Sequence, residues 1–189
     1  GHPAAGGPPG RGRAPRCPPG PRTWESEGPE DTEALGRVLA GLLQPGDLVL
    51  LRGELGAGKT TLVRAIARAL GVTGPITSPT FTVAQRYQGD VAVTHLDAYR
   101  LGGPDDEEAE LLRAAVGDDA IAFVEWPDAI LEALPPARLE AELRHRGGDR
   151  RLVLLDARDA DGRTALGRQL ADLRARHRHR EPEPGSRSG

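Results

Sequence analysis

The chain has 189 residues, of which 38% are hydrophobic, and its formal net charge at pH 7 is −3. This length and composition suit one globular domain with terminal extensions. No apolar run approaches the ~20 residues that span a bilayer, residues 1–23 hold no stretch typical of a signal peptide, and the single Cys17 excludes a disulfide framework or a cysteine-ligated metal site. We therefore expect a cytoplasmic protein.

The two terminal segments differ from the body of the chain. Residues 1–23 and 174–189 are rich in Arg, Pro, Gly and Ser, so we predict a disordered leader and a disordered basic tail. Most acidic residues lie in the intervening residues 24–173, predicted to form the folded domain. An acidic body is a poor nucleic-acid surface by itself, because phosphate binding needs clustered cations.

The apolar periodicity and the Gly and Pro positions predict the following elements in chain order. They are a helix over 30–43 capped by Thr32, a strand over 48–51, a helix over 60–70 ended by Gly71, a hairpin of strands 81–87 and 91–96, a helix beginning in the acidic stretch 103–110, a strand over 120–125, a hairpin within 138–157, and a helix over 161–176. Strands that alternate with helices predict a three-layer α/β sandwich with a mostly parallel central sheet and antiparallel additions.

A phosphate-binding pattern follows the strand over 48–51. Gly53, Gly58, Lys59 and Thr60 match G-x-x-x-x-G-K-[ST], and the next helix begins directly afterwards. Glycines let the backbone curl so that successive N–H groups and the helix N-terminus face an anion. The predicted loop residues are Gly53, Glu54, Leu55, Gly56, Ala57, Gly58, Lys59, Thr60 and Thr61.

Lys59 is the only lysine in the chain, whose other fixed cations are all arginine. A compact ammonium on a flexible stem suits the β and γ phosphates, whereas the planar guanidinium of Arg is built for bidentate contacts. Thr60 offers a hydroxyl to Mg²⁺. The sequence therefore predicts a P-loop domain that binds a nucleotide. A dinucleotide fingerprint is excluded because no third Gly follows Gly58 at the required spacing.

ATP is the predicted nucleotide. The chain contains no Asn, so the Asn-Lys-x-Asp motif of Ras-like GTPases is absent. Two carboxylates, Asp97 and Glu125, follow apolar strand runs and should emerge at the sheet edge that holds the phosphate loop. Either could serve Mg²⁺ directly or through water, and Glu125 could instead orient the attacking water.

Four motifs in this order and spacing resemble the bacterial TsaE (YjeE) ATPase family. They are GELGAGKTTLVRAIARALG, ITSPTFTV, HLDAYRL and FVEWPD, and the resemblance covers residues 29–158. It implies a P-loop ATPase that binds and hydrolyses ATP weakly alone. Such proteins act with TsaD and TsaB in making threonylcarbamoyladenosine beside the tRNA anticodon, where ATP turnover is thought to reset the complex.

The resemblance also assigns roles to individual residues. It implies that Thr60, Asp97 and Glu125 surround Mg²⁺, that Thr80 in the SPTF segment contacts the γ-phosphate, and that Trp126 lies beside the nucleotide. The residues expected to be catalytic are Lys59, Glu125, Asp97 and Thr80.

Several alternatives remain open at this level. His95 could act as a base or could hold the HLDAYRL segment in shape, and we favour the second interpretation. A small-molecule kinase could use the same ATP-binding loop, but it should turn over ATP only when its acceptor is present. A nucleotide-gated binding module would bind ATP with negligible hydrolysis.

Overall fold

A computed structural model of the chain describes residues 22–77, 84–99 and 106–178. The strands are β1 (Arg22–Ser26), β2 (Leu48–Arg52), β3 (Ala84–Gln88), β4 (Ala92–Asp97), β5 (Ala120–Glu125), β6 (Leu139–His145) and β7 (Arg151–Ala157). The helices are α1 (Pro29–Leu42), α2 (Lys59–Ala69), α3 (Asp106–Ala115) and α4 (Ala160–Arg178), with a 3-10 helix at Pro127–Ala133. Within the described residues the predicted elements are confirmed, whereas β1 and the 3-10 helix were not predicted. Residues 81–83 of the predicted strand over 81–87 and residues 103–105 of the acidic stretch lie outside the described residues.

The seven strands form one sheet in the order β1-β7-β6-β2-β5-β4-β3. Strand β2 is parallel to both β5 and β6, and β4 is parallel to β5. The pairs β3–β4, β6–β7 and β1–β7 are antiparallel. The predicted mostly parallel centre with antiparallel additions is therefore confirmed, and the carboxyl ends of β2, β4, β5 and β6 share one edge.

Helices cover both faces of the central sheet, which confirms the predicted three-layer P-loop sandwich. Within β2, Val49 and Leu51 pack on the face that carries α1, α2 and α4, whereas Leu48 and Leu50 pack on the face that carries α3 and the 3-10 helix. This alternation follows from the two-residue period of a strand. Because β2 is buried on both faces, its sequence is a continuous apolar run.

The start of α1 differs from the prediction. Gly28 is the N-cap and Pro29 opens the helix, so Thr32 is not the cap. The Thr32 hydroxyl is buried and lies 2.8 Å from the hydroxyl of Ser26 on β1. The side chain of Thr32 therefore joins α1 to the edge strand, a contact that no local pattern could indicate.

Both predicted domain boundaries need correction. Strand β1 begins at Arg22 and pairs with β7, so the last residues of the predicted leader belong to the sheet. Helix α4 continues through Arg178, so the first residues of the predicted tail at 174–189 are helical. In the described ranges, none of the helices is both long enough and apolar enough to cross a bilayer.

The last turn of α4 makes specific contacts with the edge of the domain. Arg174 donates to the carbonyl of Thr23, and the His177 ring packs edge-on against Trp24 with centroids 5.4 Å apart. The His177 Nδ1 atom lies 3.5 Å from a carboxylate oxygen of Asp31. These contacts hold the end of α4 against β1 and α1.

Deleting residues 174–189 should therefore lower the free energy of unfolding by about 1–2 kcal/mol, because an aromatic pair and a hydrogen bond are lost. Deleting only residues 179–189 removes none of the described contacts, so it should change this free energy by less than about 0.5 kcal/mol. Urea unfolding of the two truncated chains and the full chain measures the difference. Equal stability of all three chains would show that the last turn of α4 does not stabilise the domain.

Candidate functional site

The glycine loop between β2 and α2 is curled. Gly56 and Gly58 have positive φ angles of 77° and 101°, which disfavour any residue with a Cβ. Ala57 N–H donates to the Glu54 carbonyl over 3.0 Å and closes the turn. At Gly53, a Cβ would lie 2.6 Å from the carbonyl oxygen of Leu143. The loop thus needs its glycines both for curvature and for close approach to β6.

Helix α2 begins at Lys59, with Gly58 as its N-cap and no side chain capping it. The N–H groups of a first helical turn have no partner within the helix. Together with the helix dipole, they favour an anion at this end. The loop and helix therefore form a positive cradle at the carboxyl edge of the sheet.

The Lys59 ammonium lies inside this cradle rather than in solvent. It donates hydrogen bonds to the carbonyl of Gly53 and, over 2.9 Å, to that of Glu54. It also lies 4.2 Å from the ring centroid of Trp126, within range of a cation–π interaction. The residue is 6% exposed. The amine is thus held by groups of the loop that an incoming anion could replace.

Burial lowers the pKa of Lys59 below its ordinary value, and the carboxylates of Glu125 and Asp97 act in the opposite direction. Burial disfavours the ammonium because a charge loses hydration there. The two carboxylates therefore help to keep the amine protonated. A bound anion would do the same, since it adds negative charge beside the amine.

The two carboxylates predicted from strand ends are neighbours. Asp97 and Glu125 occupy paired positions at the ends of the parallel strands β4 and β5. The Thr60 hydroxyl donates to Glu125 Oε1 over 3.2 Å. Asp97 Oδ1 accepts from the backbone N–H of Tyr99 over 2.9 Å. The structure thus brings the hydroxyl of α2 and two carboxylates to the same place.

The buried side chain of His95 is hydrogen-bonded to Glu125. Its Nε2 lies 2.9 Å from Glu125 Oε2, and the histidine is fully buried. The histidine is not among the residues that line the cavity. This hydrogen bond joins β4 to β5 and positions the Glu125 carboxylate. The proposed role of His95 in holding the HLDAYRL segment in shape stays a prediction.

Trp126 has an unusual backbone. Its φ and ψ angles are 56° and 54°, and within the described residues it is the one non-glycine residue with positive φ. Such a conformation costs about 1–2 kcal/mol and persists where surrounding contacts impose it. The backbone N–H of Trp126 donates to the Leu51 carbonyl, and the indole ring contacts the ring of Tyr99 with centroids 4.9 Å apart. The turn directs the indole towards Lys59.

These residues surround a cavity of about 260 Å³. Its lining comprises Leu55, Gly56, Gly58, Lys59, Thr60, Thr61, Asp97, Glu125, Trp126 and Arg151. Of the other predicted loop residues, Gly53, Glu54 and Ala57 shape the loop without lining the cavity. Thr80 and the rest of the SPTF segment lie outside the described residues.

The residues of this site lie within a region that matches a known protein family. The model of one protein family, described as "Threonylcarbamoyl adenosine biosynthesis protein TsaE", matches residues 26–153, which is most of the chain. The chain belongs to the TsaE family. The match includes the glycine loop, both strand-end carboxylates, Trp126 and Arg151, so every residue that lines the cavity falls within the family region.

Relatives within the TsaE family are similar over most of their length. The chain is 37% identical to the "tRNA threonylcarbamoyladenosine biosynthesis protein TsaE" of Bacillus subtilis over 136 residues, which cover 71% of this chain and 84% of the relative. It is 47% identical to the protein of the same name from Streptomyces coelicolor over 118 residues, covering 61% of this chain and 80% of the relative. A crystal structure of Bacillus subtilis YdiB superposes with a TM-score of 0.62 at 31% identity, covering 84% of this chain and 96% of that one.

Arg151 is the one residue lining the cavity that the sequence analysis missed. It begins β7, directly after the turn of the second hairpin. The TsaE-type motifs quoted above do not include it, and the hairpin pattern alone does not show which loop lies beside it. That placement depends on β6 pairing with β2.

Proposed function

We propose that this TsaE-family protein binds and hydrolyses Mg²⁺-ATP in the cavity beneath the glycine loop, in support of tRNA threonylcarbamoyladenosine formation. The observation that carries the proposal is the meeting of one ammonium, one hydroxyl and two carboxylates, from Lys59, Thr60, Asp97 and Glu125, around a single cavity. The names of the relatives supply the pathway.

The triphosphate binds where the loop and the start of α2 present backbone N–H groups. Lys59 exchanges its hydrogen bonds with the carbonyls of Gly53 and Glu54 for contacts with phosphate oxygens. This exchange is favourable because the phosphate oxygens carry negative charge, whereas the carbonyl oxygens that they replace are neutral. Trp126 stays beside the ammonium and shields it from water.

The donor set fits Mg²⁺, which prefers hard oxygen ligands and keeps several waters. The Thr60 hydroxyl and the carboxylates of Asp97 and Glu125 would hold the ion, directly or through water. When bound, the ion neutralises charge on the phosphate oxygens. Glu125 is 2% exposed, whereas Asp97 is partly exposed, so Asp97 is more open to a hydrated ion.

Hydrolysis transfers the γ-phosphoryl group to water and releases ADP and inorganic phosphate. Glu125 accepts a hydrogen bond from the attacking water, orients it and takes its proton, as the catalytic base does in other phosphoryl-transfer sites. His95 fixes the orientation of this carboxylate through the buried hydrogen bond to Oε2. Thr80, outside the described residues, remains the proposed contact to the γ-phosphate.

The partners proposed are the TsaD and TsaB proteins, with tRNA as the substrate of the complex rather than of this chain alone. The proposal rests on the family membership and on the acidic body of the chain, which is poorly suited to binding nucleic acid unaided. Turnover of ATP would then reset the complex between rounds of modification.

ATPase turnover with and without purified TsaD and TsaB tests this function. We expect slow ATP hydrolysis by the protein alone, a clear increase on adding both partners, and weaker turnover of GTP. Bovine serum albumin in place of the partners serves as the control. Turnover that requires a small-molecule phosphate acceptor would instead favour the kinase alternative, and ATP binding without hydrolysis under any condition would favour a binding module.

A further inference from the structure

The turn between β6 and β7 lies at the same edge of the sheet as the glycine loop. Strand β6 is parallel to β2 and adjacent to it, so the carboxyl ends of the two strands point the same way. Residues 146–150 join β6 to β7, and Arg151 follows them. The second hairpin therefore supplies one wall of the cavity.

Backbone groups hold the Arg151 guanidinium in place. Its Nη1 donates to the carbonyls of Gly148 and Arg150 over 2.7 and 2.9 Å, and its Nη2 donates to the carbonyl of Gly56 over 3.3 Å. Its Nε is buried without a hydrogen-bond partner within the described structure. A Cβ on Gly58 would lie 3.6 Å from this Nε, which places the guanidinium directly against the glycine loop.

The two ends of the cavity differ in charge. The carboxylates of Asp97 and Glu125 lie at the ends of β4 and β5, on one side of β2. Arg151 lies at the start of β7, beyond β6, on the other side of β2. A triphosphate whose Mg²⁺-bound end faces the carboxylates must extend its nucleoside end towards Arg151.

We infer that Arg151 is a nucleoside-contacting residue and that a flat face of its guanidinium stacks on the purine base. This inference rests on the proposed function. Three of the in-plane N–H groups of Arg151 are already used by backbone carbonyls, so the group offers its faces rather than its edge. Guanidinium planes stack on aromatic rings, and no equivalent surface exists on lysine. Arg151 would therefore bind the base, while the glycine loop and Lys59 bind the phosphates.

Replacing Arg151 with lysine tests the inference, because lysine keeps the charge and a donor for Gly56 but has no flat face. Isothermal titration calorimetry at neutral pH should show that Arg151→Lys weakens ATP binding about fivefold, the size of a stacked cation–π contact. Affinity for inorganic tripolyphosphate, which has no base, should stay within about twofold of the wild-type value. Arg144→Lys on the same hairpin, where Arg144 pairs with Glu142 2.8 Å away, should change neither affinity.

Each result has a separate meaning. Equal weakening of ATP and tripolyphosphate, or unchanged ATP affinity, would overturn the role of Arg151 at the base. A wild-type protein that binds neither compound would overturn the proposed function itself. Amide hydrogen exchange on the wild-type protein gives an independent measurement if the variant fails to fold. ATP should protect residues 146–151 and the glycine loop, whereas tripolyphosphate should protect the loop alone, and identical protection by both would contradict the inference.

Discussion

Replacing Lys59 with alanine should reduce ATP affinity roughly 100-fold, and replacing it with arginine should reduce it nearly as much. Loss of a charge-assisted hydrogen bond to phosphate costs about 2–3 kcal/mol, which corresponds to a factor of roughly 30 to 150. The arginine variant keeps the charge but not the fit. The larger guanidinium of this variant must enter a space bounded by the Gly53 and Glu54 carbonyls and the Trp126 ring. Overpacking of such a space costs about 1–3 kcal/mol of stability.

Calorimetric titration with Mg²⁺-ATP measures both Lys59 variants. Arg37→Lys is the matched control, because it makes the reverse exchange at an exposed position of α1 and should leave ATP affinity unchanged. Wild-type affinity in Lys59→Arg would refute the explanation that an ammonium alone fits the loop. Wild-type affinity in Lys59→Ala would remove this loop from the proposed ATP site altogether.

Most of the central fold could be predicted because its signals are local. The apolar runs of β2 and β5 and the periodicity of α2 and α4 each lie within one short segment, and the turn residues of both hairpins are equally local. Strand β1 was missed because its residues form a strand only through pairing with β7, far along the chain. The position of Thr32 was misjudged for the same reason, since its partner is Ser26 on that strand.

In the candidate site, too, the residues with local sequence signals could be predicted and those placed by long-range strand pairing could not. The glycine loop is a contiguous motif, so its residues could be named from the sequence, and Asp97 and Glu125 could be placed because parallel strands end at one edge. The contact of Arg151 with Gly56 depends on the order of strands in the sheet, which the sequence does not state.

The support that His95 gives Glu125 likewise arises only from the pairing of β4 with β5. The sequence placed His95 in the HLDAYRL motif and Glu125 at the end of an apolar strand run, but it did not indicate that the two side chains would touch. A buried carboxylate needs partners for both oxygens, since an unpaired charge in the interior is costly. Thr60 and His95 meet that need, and they also leave Glu125 in one fixed orientation.

Replacing Glu125 with glutamine should therefore separate binding from hydrolysis. The amide has almost the same shape and can still hydrogen-bond to His95 and Thr60, but it is a poor acceptor for a proton from water. We expect ATP turnover to fall by at least about 100-fold, as for loss of a general base, while ATP affinity stays within about threefold. Steady-state ATPase assays and calorimetric titration on the same preparation measure the two quantities.

The Glu125 carboxylate raises the pKa of Lys59, so its loss would lower that pKa further. Turnover is therefore compared over a range of pH, because activity lost through deprotonation of Lys59 would return as the pH is lowered, whereas activity lost with the Glu125 carboxylate itself would not. Glu132→Gln, at an exposed position of the 3-10 helix, is the matched control and should alter neither quantity. Glu125→Ala is less suitable, since it leaves buried His95 without its partner at a cost of about 1–3 kcal/mol in stability. Full turnover in Glu125→Gln would mean that another group orients the water, and a parallel loss of affinity would mean that Glu125 acts mainly in holding Mg²⁺.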